Sequence, residues 1–409
     1  MKKVVIIGAG HAAGQLVASL RQKKFAGRIT LLGEEPWYPY QRPPLSKKFL
    51  AGDMPAERLY VKPQSFYDDD PNVQVIVNTQ VTSIDRTEQS VQTDTGQTFD
   101  YDFLIIATGS RPRALSLPGA ELDGVSYLRG IDDVNAIRSQ LGTRRQVVII
   151  GAGYIGLEVA AVIAKLGHEV SVIEMADRVM SRVVSPEVSQ FYQDIHSKNG
   201  VSLRLATGIS QLAGSEHVNG VVLETGETLP ADIVIVGIGI VPNTELATEA
   251  GLETANGVVV DDRCQTSDPN IFAVGDCTWH PNAILGRCIR LESVHNALEQ
   301  AKTAASNICG EELHYGQVPW FWSDQYDLKL QIAGLSQDYD QVVIRGSIEQ
   351  QSFACLYLAA GRLIAIDAIN RPKDFIQSKA LIADHACIDP SLLAAAETDL
   401  KDMPYSVTD

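Results

Sequence analysis

Two short glycine-rich segments have the residue types and spacing that bind the phosphates of a dinucleotide. Residues 3–14 read KVVIIGAGHAAG and residues 146–156 read QVVIIGAGYIG. In each segment a β-branched run stops at a glycine turn and continues into a helix-like sequence. Glycine lets the backbone turn tightly and approach a pyrophosphate, and the following helix offers free N–H groups and the positive end of its dipole. The repeat therefore predicts two dinucleotide sites.

An acidic residue ends the second apolar run that follows each glycine turn. Glu34 and Glu35 follow RITLL, and Glu174 closes HEVSVIE. A carboxylate at this position accepts hydrogen bonds from ribose hydroxyls. Glu174 would also repel a 2′-phosphate, which favours NADH over NADPH. Arg178 and Arg182 follow closely, so some use of NADPH stays open.

Two further apolar runs end in polar turns that suit a nucleotide site. Tyr101 to Ala107 stops at Thr108-Gly109, and Ile271 to Val274 stops at Gly275-Asp276. Either turn alone is as well explained by ordinary structure. Beside two dinucleotide segments, Asp276 becomes a candidate acceptor for a ribityl hydroxyl.

Composition limits the classes of partner. The 409 residues include 34 Lys and Arg against 50 Asp and Glu, a net charge of −16, which argues against nucleic acid or an anionic membrane as the main partner. The chain lacks the roughly 18 consecutive apolar residues of a membrane helix. The six cysteines begin at Cys264 and form no CxxC pair. We expect a cytoplasmic protein with reduced thiols.

The combined motifs resemble the FAD/NAD-linked disulfide-reductase superfamily. Within it, RPPLSK (42–47) and WFWSDQ (320–325) resemble the branch that holds putidaredoxin reductase, Rieske dioxygenase reductases, rubredoxin reductase and apoptosis-inducing factor. SVHNALEQAK (293–302) is most similar to the putidaredoxin-reductase type, which serves haem mono-oxygenases. The resemblance covers essentially the whole chain.

This resemblance implies an α/β protein with two Rossmann-like, glutathione-reductase-type nucleotide-binding domains and a C-terminal α+β domain. We expect a discontinuous FAD domain over 1–110 and 242–310, with an NAD domain inserted over 111–241. The C-terminal interface domain covers 311–409, where LKLQIAG and RLIAIDAI predict an antiparallel sheet.

The implied chemistry is electron transfer from NADH through FAD to a [2Fe–2S] ferredoxin. The thiol-dependent members of the superfamily need a cysteine beside the flavin, and none precedes Cys264 here, so electrons are expected to leave the flavin directly. Hydride would pass from NADH to flavin N5, and single electrons would pass to the ferredoxin. The resemblance also implies a monomer or weak dimer.

The resemblance assigns roles to individual side chains. Lys47 would stabilise the reduced flavin, Glu158 would pair with Lys47 near the nicotinamide, and Trp322 would lie against the flavin or nicotinamide. Arg42 and Arg129 would hold the pyrophosphate of FAD. Without the motifs, a lysine such as Lys47 is usually a surface charge and an aromatic cluster such as that of Trp322 is more often core, while Glu158 is explained as an exposed helix acid and Arg129 equally well as a surface ion-pair residue.

The remaining contacts follow from the motifs and the resemblance. The backbone of Val81 would meet the adenine, and Glu292 would lie at the pyrimidine edge of the flavin and also contact NADH. The predicted FAD contacts are Gly8, Gly10, His11, Ala12, Ala13, Glu34, Glu35, Arg42, Lys47, Val81, Ala107, Thr108, Gly109, Arg129, Gly275, Asp276, Ser293, Val294 and Trp322. The predicted NADH contacts are Gly151, Gly153, Tyr154, Ile155, Gly156, Glu158, Glu174, Gly237, Ile238, Gly239 and Glu292.

An acidic enzyme needs a local basic surface to dock an acidic ferredoxin. The candidates are Arg287, Arg290, Arg371, Lys373 and Lys379. Three alternatives stay open: a rubredoxin reductase, a reductase of small quinones or monodehydroascorbate, and a redox-sensing protein like apoptosis-inducing factor. The basic, DNA-binding character of that last protein has no counterpart in a chain of net charge −16.

Overall fold

The computed structural model describes residues 1–407, which form two compact units. Unit 1 contains residues 1–42, 56–111 and 240–319. Unit 2 contains residues 43–55 and 112–239, and the chain from residue 320 onward. The short segment 43–55 thus groups with unit 2, although the sequence analysis places it inside the FAD domain. The division into three domains stays a prediction.

The helices are short, and most follow a strand. Within the described residues, the α-helices are α1 His11–Gln22, α2 Lys48–Ala51, α3 Gln64–Asp68, α4 Ile131–Leu141, α5 Tyr154–Lys165, α6 Pro186–Lys198, α7 Glu245–Glu249, α8 Val294–Ile308, α9 Pro372–Ala383 and α10 Pro390–Ala394. The 3-10 turns are Pro43–Ser46, Ala56–Leu59 and Leu400–Asp402.

The strands are numbered in chain order. The first half holds β1 Lys3–Ile7, β2 Arg28–Leu32, β3 Val73–Ile76, β4 Val81–Asp85, β5 Ser90–Thr93, β6 Thr98–Asp100, β7 Phe103–Ile106, β8 Ser110–Pro112, β9 Val125–Tyr127, β10 Gln146–Ile150, β11 Glu169–Ile173, β12 Ser202–Arg204, β13 Ile209–Gly214 and β14 Val218–Leu223. The second half holds β15 Thr228–Pro230, β16 Ile233–Val236, β17 Ile240–Pro242, β18 Thr254–Ala255, β19 Gly257–Val259, β20 Ile271–Ala273, β21 Thr278–Asn282, β22 Arg287–Ile289, β23 Trp320–Gln325, β24 Leu328–Gly334, β25 Gln341–Ser347, β26 Ser352–Ala359, β27 Arg362–Ile369, β28 Ala386–Cys387 and β29 Ser406–Val407.

Unit 1 is built on a five-stranded parallel sheet in the order β20-β7-β1-β2-β3. The central strand β1 reads KVVII and is buried on both faces. Val4 and Ile6 pack with the small residues of α1 and α8, whereas Val5 and Ile7 pack with Leu104 on the other face. A continuous β-branched run is what a strand covered on both faces requires.

Unit 2 repeats this arrangement with a parallel sheet in the order β12-β11-β10-β16-β9. Its central strand β10 reads QVVII and pairs with β11 and β16, as β1 pairs with β2 and β7. The two Rossmann-like folds that the repeated segments predict are therefore confirmed.

The rest of unit 2 includes an antiparallel sheet in the order β23-β24-β27-β26-β25, to which β28 and β29 are added. Helix α9 follows β27. The predicted C-terminal sheet with terminal helices is confirmed, and LKLQIAG and RLIAIDAI form β24 and β27. No helix among residues 1–407 is long and apolar enough to cross a membrane.

Candidate functional site

The predicted FAD residues of unit 1 meet at one edge of its parallel sheet. Ile7 is in register with Leu32 and Ile106, and Ile106 is in register with Ala273. The residues that follow these strand ends therefore lie side by side: Gly8, Glu34 and Glu35, Ala107 to Gly109, and Gly275-Asp276. The carboxyl edge of a parallel sheet is where such folds bind ligands.

The turn after β1 leaves room for a phosphate group. Gly8 has φ +102°, and a Cβ there would lie 2.4 Å from the carbonyl oxygen of Ala107. Gly10 precedes α1 and has no side chain to cap it, and a Cβ there would meet nothing within 4 Å. The first N–H groups of α1, at His11, Ala12 and Ala13, thus border open space, which fits a pyrophosphate.

A group of charged side chains lies beside this turn. Arg42 Nη2 lies 2.6 Å from Glu35 Oε1, and the Tyr40 hydroxyl donates to Glu35 Oε2 at 2.5 Å. Burial lowers the pKa of His11 to about 4, with a further contribution from Arg42, while Asp276 opposes this shift. The His11 imidazole is therefore neutral at physiological pH.

The other predicted FAD residues of unit 1 are placed by local hydrogen bonds. The Ser110 hydroxyl donates to Asp276 Oδ2 at 2.9 Å, and the Thr108 hydroxyl donates to the Asn243 carbonyl at 2.7 Å. Val81 is buried at the start of β4. Ser293 caps α8 by accepting from the Asn296 N–H, so the helix begins at Val294.

The NADH residues of unit 2 lie at the equivalent edge of the second sheet. Ile150 is in register with Ile173 and Val236, so Gly151, Glu174 and Gly237 follow neighbouring strand ends. Gly151 has φ +102°, and a Cβ there would lie 2.4 Å from the Gly237 carbonyl oxygen. These values match those of Gly8 and Ala107, so the two turns have the same construction.

The remaining residues of the second turn are also arranged for a ligand. Gly153 precedes α5, and a Cβ there would meet nothing within 4 Å, whereas one on Gly156 would lie 2.2 Å from the Gly151 carbonyl oxygen. Tyr154 packs against Phe321, with ring centroids 4.9 Å apart, and Ile155 is 45% exposed. Ile238 and Gly239 continue the loop after β16.

Glu174 and the arginine after it bear on the choice of nucleotide. The Glu174 carboxylate accepts from the Ala152 and Ala176 N–H groups at 2.8 and 2.9 Å, which fixes it beside the glycine turn. The Arg178 guanidinium donates to the Val184 and Ser181 carbonyls and to a serine hydroxyl. The Arg178 guanidinium therefore stabilises its own loop through these hydrogen bonds.

The predicted pairing of Lys47 with Glu158 is present in the structure. Lys47 Nζ lies 2.7 Å from Glu158 Oε2, and the Lys47 and Glu158 side chains are 17% and 3% exposed. Glu158 Oε2 also accepts from the Ser46 hydroxyl at 2.6 Å, and Oε1 accepts from the Ser323 hydroxyl at 2.7 Å. The buried carboxylate is surrounded by one cation and two hydroxyl donors, as a buried charge requires.

Ser46 and Ser323 are functional candidates that the sequence analysis missed. Ser46 directly precedes Lys47 on the 3-10 turn, and Ser323 directly follows Trp322 on β23. The sequence signals for these serines are their positions beside two predicted residues and inside RPPLSK and WFWSDQ, the segments that carry the resemblance. Trp322 contacts Trp320, with ring centroids 5.6 Å apart, so it belongs to an aromatic cluster as well as to the predicted site.

The structure does not test the other assignments. Arg129 lies in unit 2 after β9, where its backbone N–H donates to Asp133. Glu292 lies in unit 1 and forms an ion pair with Arg290. Their contacts with FAD and NADH stay predictions, as do those of Lys47, Glu158 and Trp322.

One cysteine does lie beside a predicted FAD residue. Cys277 follows Asp276, is fully buried, and donates weakly to the Val274 and Ile106 carbonyls. Burial raises the pKa of its thiol, so Cys277 stays in the unreactive thiol form. None of the cysteines within residues 1–407 forms a disulfide bond.

Ion pairs already engage the candidate docking residues Arg290, Arg371 and Lys373. Arg290 pairs with Glu292, Arg371 pairs with Asp374 at 2.6 Å, and Lys373 pairs with Asp399 at 2.7 Å. Lys379 lies over the rings of Trp320 and Phe375, and burial lowers its pKa. Arg287 lies on β22 with an exposed side chain. Docking of a partner at these residues stays a prediction.

Comparisons with known proteins cover nearly the whole chain. A profile of the pyridine nucleotide-disulphide oxidoreductase family matches residues 2–305, and one described as reductase C-terminal matches residues 320–404. The ferredoxin reductase subunit of 5,5′-dehydrodivanillate O-demethylase from Sphingobium sp. is 44% identical, over 98% of this chain and 97% of that protein. Putidaredoxin reductase from Pseudomonas putida is 43% identical, over 98% and 96%.

The solved structures agree with the sequence relatives. The crystal structure of the covalent putidaredoxin reductase–putidaredoxin complex matches with a TM-score of 0.95 and 42% identity. The match covers 98% of this chain and 97% of that one.

Proposed function

Because the chain belongs to the pyridine nucleotide-disulphide oxidoreductase family, we propose that it is an NADH-dependent, FAD-containing ferredoxin reductase. Its acceptor is a [2Fe–2S] ferredoxin. The observation that carries the proposal is the whole-chain similarity to putidaredoxin reductase, including the structure with putidaredoxin. The ferredoxin would feed an oxygenase, with a haem mono-oxygenase favoured over a Rieske dioxygenase. We place the enzyme in the cytoplasm, as a monomer or weak dimer.

FAD binds at the carboxyl edge of the sheet in unit 1. The open space at Gly10 and the uncapped N-terminus of α1 fit its pyrophosphate, and the neutral His11 adds no charge there. Glu35 and Asp276 offer carboxylate oxygens to hydroxyl groups. When bound, FAD supplies the conversion between a two-electron donor and one-electron acceptors.

NADH binds at the turn between Gly151 and Gly156. The fixed carboxylate of Glu174 accepts from the ribose 2′-hydroxyl and repels a 2′-phosphate. The usual arginine partner for a 2′-phosphate is missing at position 178, because that guanidinium is occupied by loop carbonyls. The site therefore favours NADH over NADPH.

Lys47 and Glu158 serve the hydride transfer as a pair. The Lys47 ammonium supplies positive charge where reduction of the flavin adds negative charge, and Glu158 keeps that ammonium in place. Trp322 lies two residues from Trp320 on the same strand and bounds the nicotinamide position. This arrangement needs no reactive thiol.

The experiment follows flavin and acceptor spectra in one anaerobic mixture. The purified holoprotein is mixed with one equivalent of NADH, and a [2Fe–2S] ferredoxin or a rubredoxin is then added. We expect rapid bleaching of the flavin followed by faster reduction of the ferredoxin. Bleaching with preferential reduction of rubredoxin would replace the proposed acceptor. A flavin that NADH does not bleach would refute the proposed function.

A further inference from the structure

Hydrogen bonds continue from Glu158 into the interior of unit 2. The Ser323 hydroxyl, which donates to Glu158, lies 3.2 Å from Gln325 Nε2. The other end of that amide, Gln325 Oε1, lies 2.9 Å from His196 Nε2. The Tyr326 hydroxyl lies 3.2 Å from His196 Nδ1. We call Tyr326, His196, Gln325 and Ser323 the hydrogen-bond line.

Most of this line is inaccessible to water. Ser323, Gln325 and His196 are each 0% exposed. They come from β23 and from α6, two elements far apart in the sequence. Burying three polar side chains is costly unless each finds its partners, and here each has one on both sides. Packing alone would be served equally well by apolar residues.

The chemistry of each group fixes the direction of the bonds. An ionised carboxylate only accepts, so Ser323 must donate to Glu158, and its oxygen is then free to accept from the Gln325 amide. Gln325 Oε1 accepts in turn, so His196 must carry its hydrogen on Nε2. Burial lowers the pKa of His196, which keeps the imidazole neutral and leaves Nδ1 free to accept from Tyr326.

The line orients groups and does not conduct protons. Its outer end, Tyr326, borders a surface recess of about 220 Å³ that Lys165, Asn199 and Asp327 also line. Proton transfer from there to Glu158 would have to pass through the Gln325 amide, whose N–H is a poor acid and whose nitrogen is a poor base. A carboxamide is nonetheless well suited to hold a neighbouring hydroxyl in one rotamer.

We propose that His196 is a positioning residue for Glu158, because its Nε2–H fixes the Gln325 amide, which in turn fixes the Ser323 hydroxyl as a donor to the Glu158 carboxylate. The inference rests on the proposed function in that Glu158 and Lys47 act on the flavin. His196 touches neither of them. It acts by holding the Glu158 carboxylate in the position in which that carboxylate pairs with Lys47.

Two substitutions at one position separate this role from simple packing. A glutamine amide nitrogen replaces histidine Nε2 in space, whereas an asparagine nitrogen replaces Nδ1. We expect His196→Asn to slow flavin reduction by NADH about tenfold and to lower the flavin midpoint potential, because a hydrogen bond to a charged group is weakened. His196→Gln should stay within about twofold of the parent. His217→Asn, at an exposed histidine, is the matched control.

A double variant tests whether His196 acts through Ser323. Ser323→Ala removes the last donor directly, so adding His196→Asn to it should slow flavin reduction by no more than a further twofold. Multiplying effects would overturn the proposal, as would equal rates for His196→Asn and His196→Gln. This comparison uses ratios among folded variants and does not depend on any one of them reaching full stability.

A spectroscopic measurement tests the line without turnover. The protein is labelled with ¹⁵N-histidine, and the signals of His196 are assigned by their loss in His196→Gln. We expect His196 to be neutral, with its hydrogen on Nε2. Hydrogen on Nδ1 would overturn the proposal. If NADH fails to bleach the flavin of the unsubstituted protein, the proposed function fails, and the tautomer still reports on the hydrogen-bond line.

Discussion

The buried pair of Lys47 and Glu158 yields the prediction that removing both charges destabilises the protein less than removing one. We compare Glu158→Leu alone with Glu158→Leu combined with Lys47→Met. The single substitution should leave the Lys47 ammonium, only 17% exposed, without its counter-charge. The double substitution replaces the pair with two apolar side chains of similar volume. The double variant is therefore expected to be more stable than the single one.

The magnitude follows from the geometry of the pair. At 2.7 Å and an effective dielectric constant near 20, the attraction is about 6 kcal/mol, and most of it offsets the cost of removing both charges from water. Removing one partner of a buried pair typically costs about 3–5 kcal/mol. Removing both partners leaves no isolated charge in the interior, so we expect the double variant to be about 2 kcal/mol more stable to unfolding than the single variant.

Thermal unfolding of the holoproteins measures the difference. For a unit of this size, about 2 kcal/mol corresponds to a rise in Tm of roughly 4–8 °C for the double variant over the single one. Ser46 and Ser323 lose the same acceptor in both variants, so their contribution cancels. Equal Tm values, or a lower Tm for the double variant, would show that the pair is not electrostatically coupled as described.

Three further predictions concern other sites. Gly10→Ala should fold normally yet retain less FAD, whereas Gly153→Ala should keep its FAD and show a higher KM for NADH. The reason is that each added methyl group enters only its own open turn. Flavin content measures the first effect, and steady-state kinetics measure the second. Glu174→Gln should reduce the preference for NADH over NADPH about tenfold in kcat/KM, since the repelling charge is lost. Burial raises the pKa of Asp367 to about 7, so the folded protein holds a proton that the unfolded chain releases near pH 4, and stability should fall as pH rises between these values. Asp367→Asn should remove that part of the pH dependence in Tm measurements.

Local patterns in the sequence predict the two nucleotide-binding folds well. The glycine turns at Gly8 and Gly151 need a left-handed backbone and a close approach to a neighbouring carbonyl, and only glycine meets both demands. These demands fall on a few consecutive residues, so the local sequence alone indicates them. Parallel pairing then brings the later turns to the same edge, so Glu174 and Asp276 could be placed without knowing the structure.

The surroundings of Glu158 could be predicted only in part. The resemblance supplies a role for Lys47, but it gives none to Ser46, Ser323 and Gln325, although these residues lie inside RPPLSK and WFWSDQ. The contacts of Ser46 and Ser323 with Glu158 span 112 and 165 positions, and that of His196 with Gln325 spans 129. Such separations are set by tertiary packing, which a single sequence does not display.

The ion pairs of the candidate docking residues could not be predicted from the sequence alone. Arg371 and Lys373 look like available cations, yet each has an acidic partner, Asp374 three residues on and Asp399 on a later segment. The Lys373–Asp399 pair is exposed and therefore weak, so an approaching acidic partner could displace it, whereas Asp374 is buried and holds Arg371 more firmly. Pairing therefore lowers the value of these residues as a docking signal without removing it.

Cys277 is a cysteine near the predicted FAD edge that the sequence analysis does not consider. The sequence analysis excludes thiol chemistry because no cysteine precedes Cys264, but Cys277 adjoins Asp276 at the predicted FAD edge. Burial prevents thiol chemistry there because it raises the pKa of the Cys277 thiol. The thiol instead donates weak hydrogen bonds to the Val274 and Ile106 carbonyls. A thiol relay needs a thiolate, and the buried thiol of Cys277 does not provide one. Direct transfer from the flavin is therefore favoured by the environment of the cysteine and not by its position in the sequence.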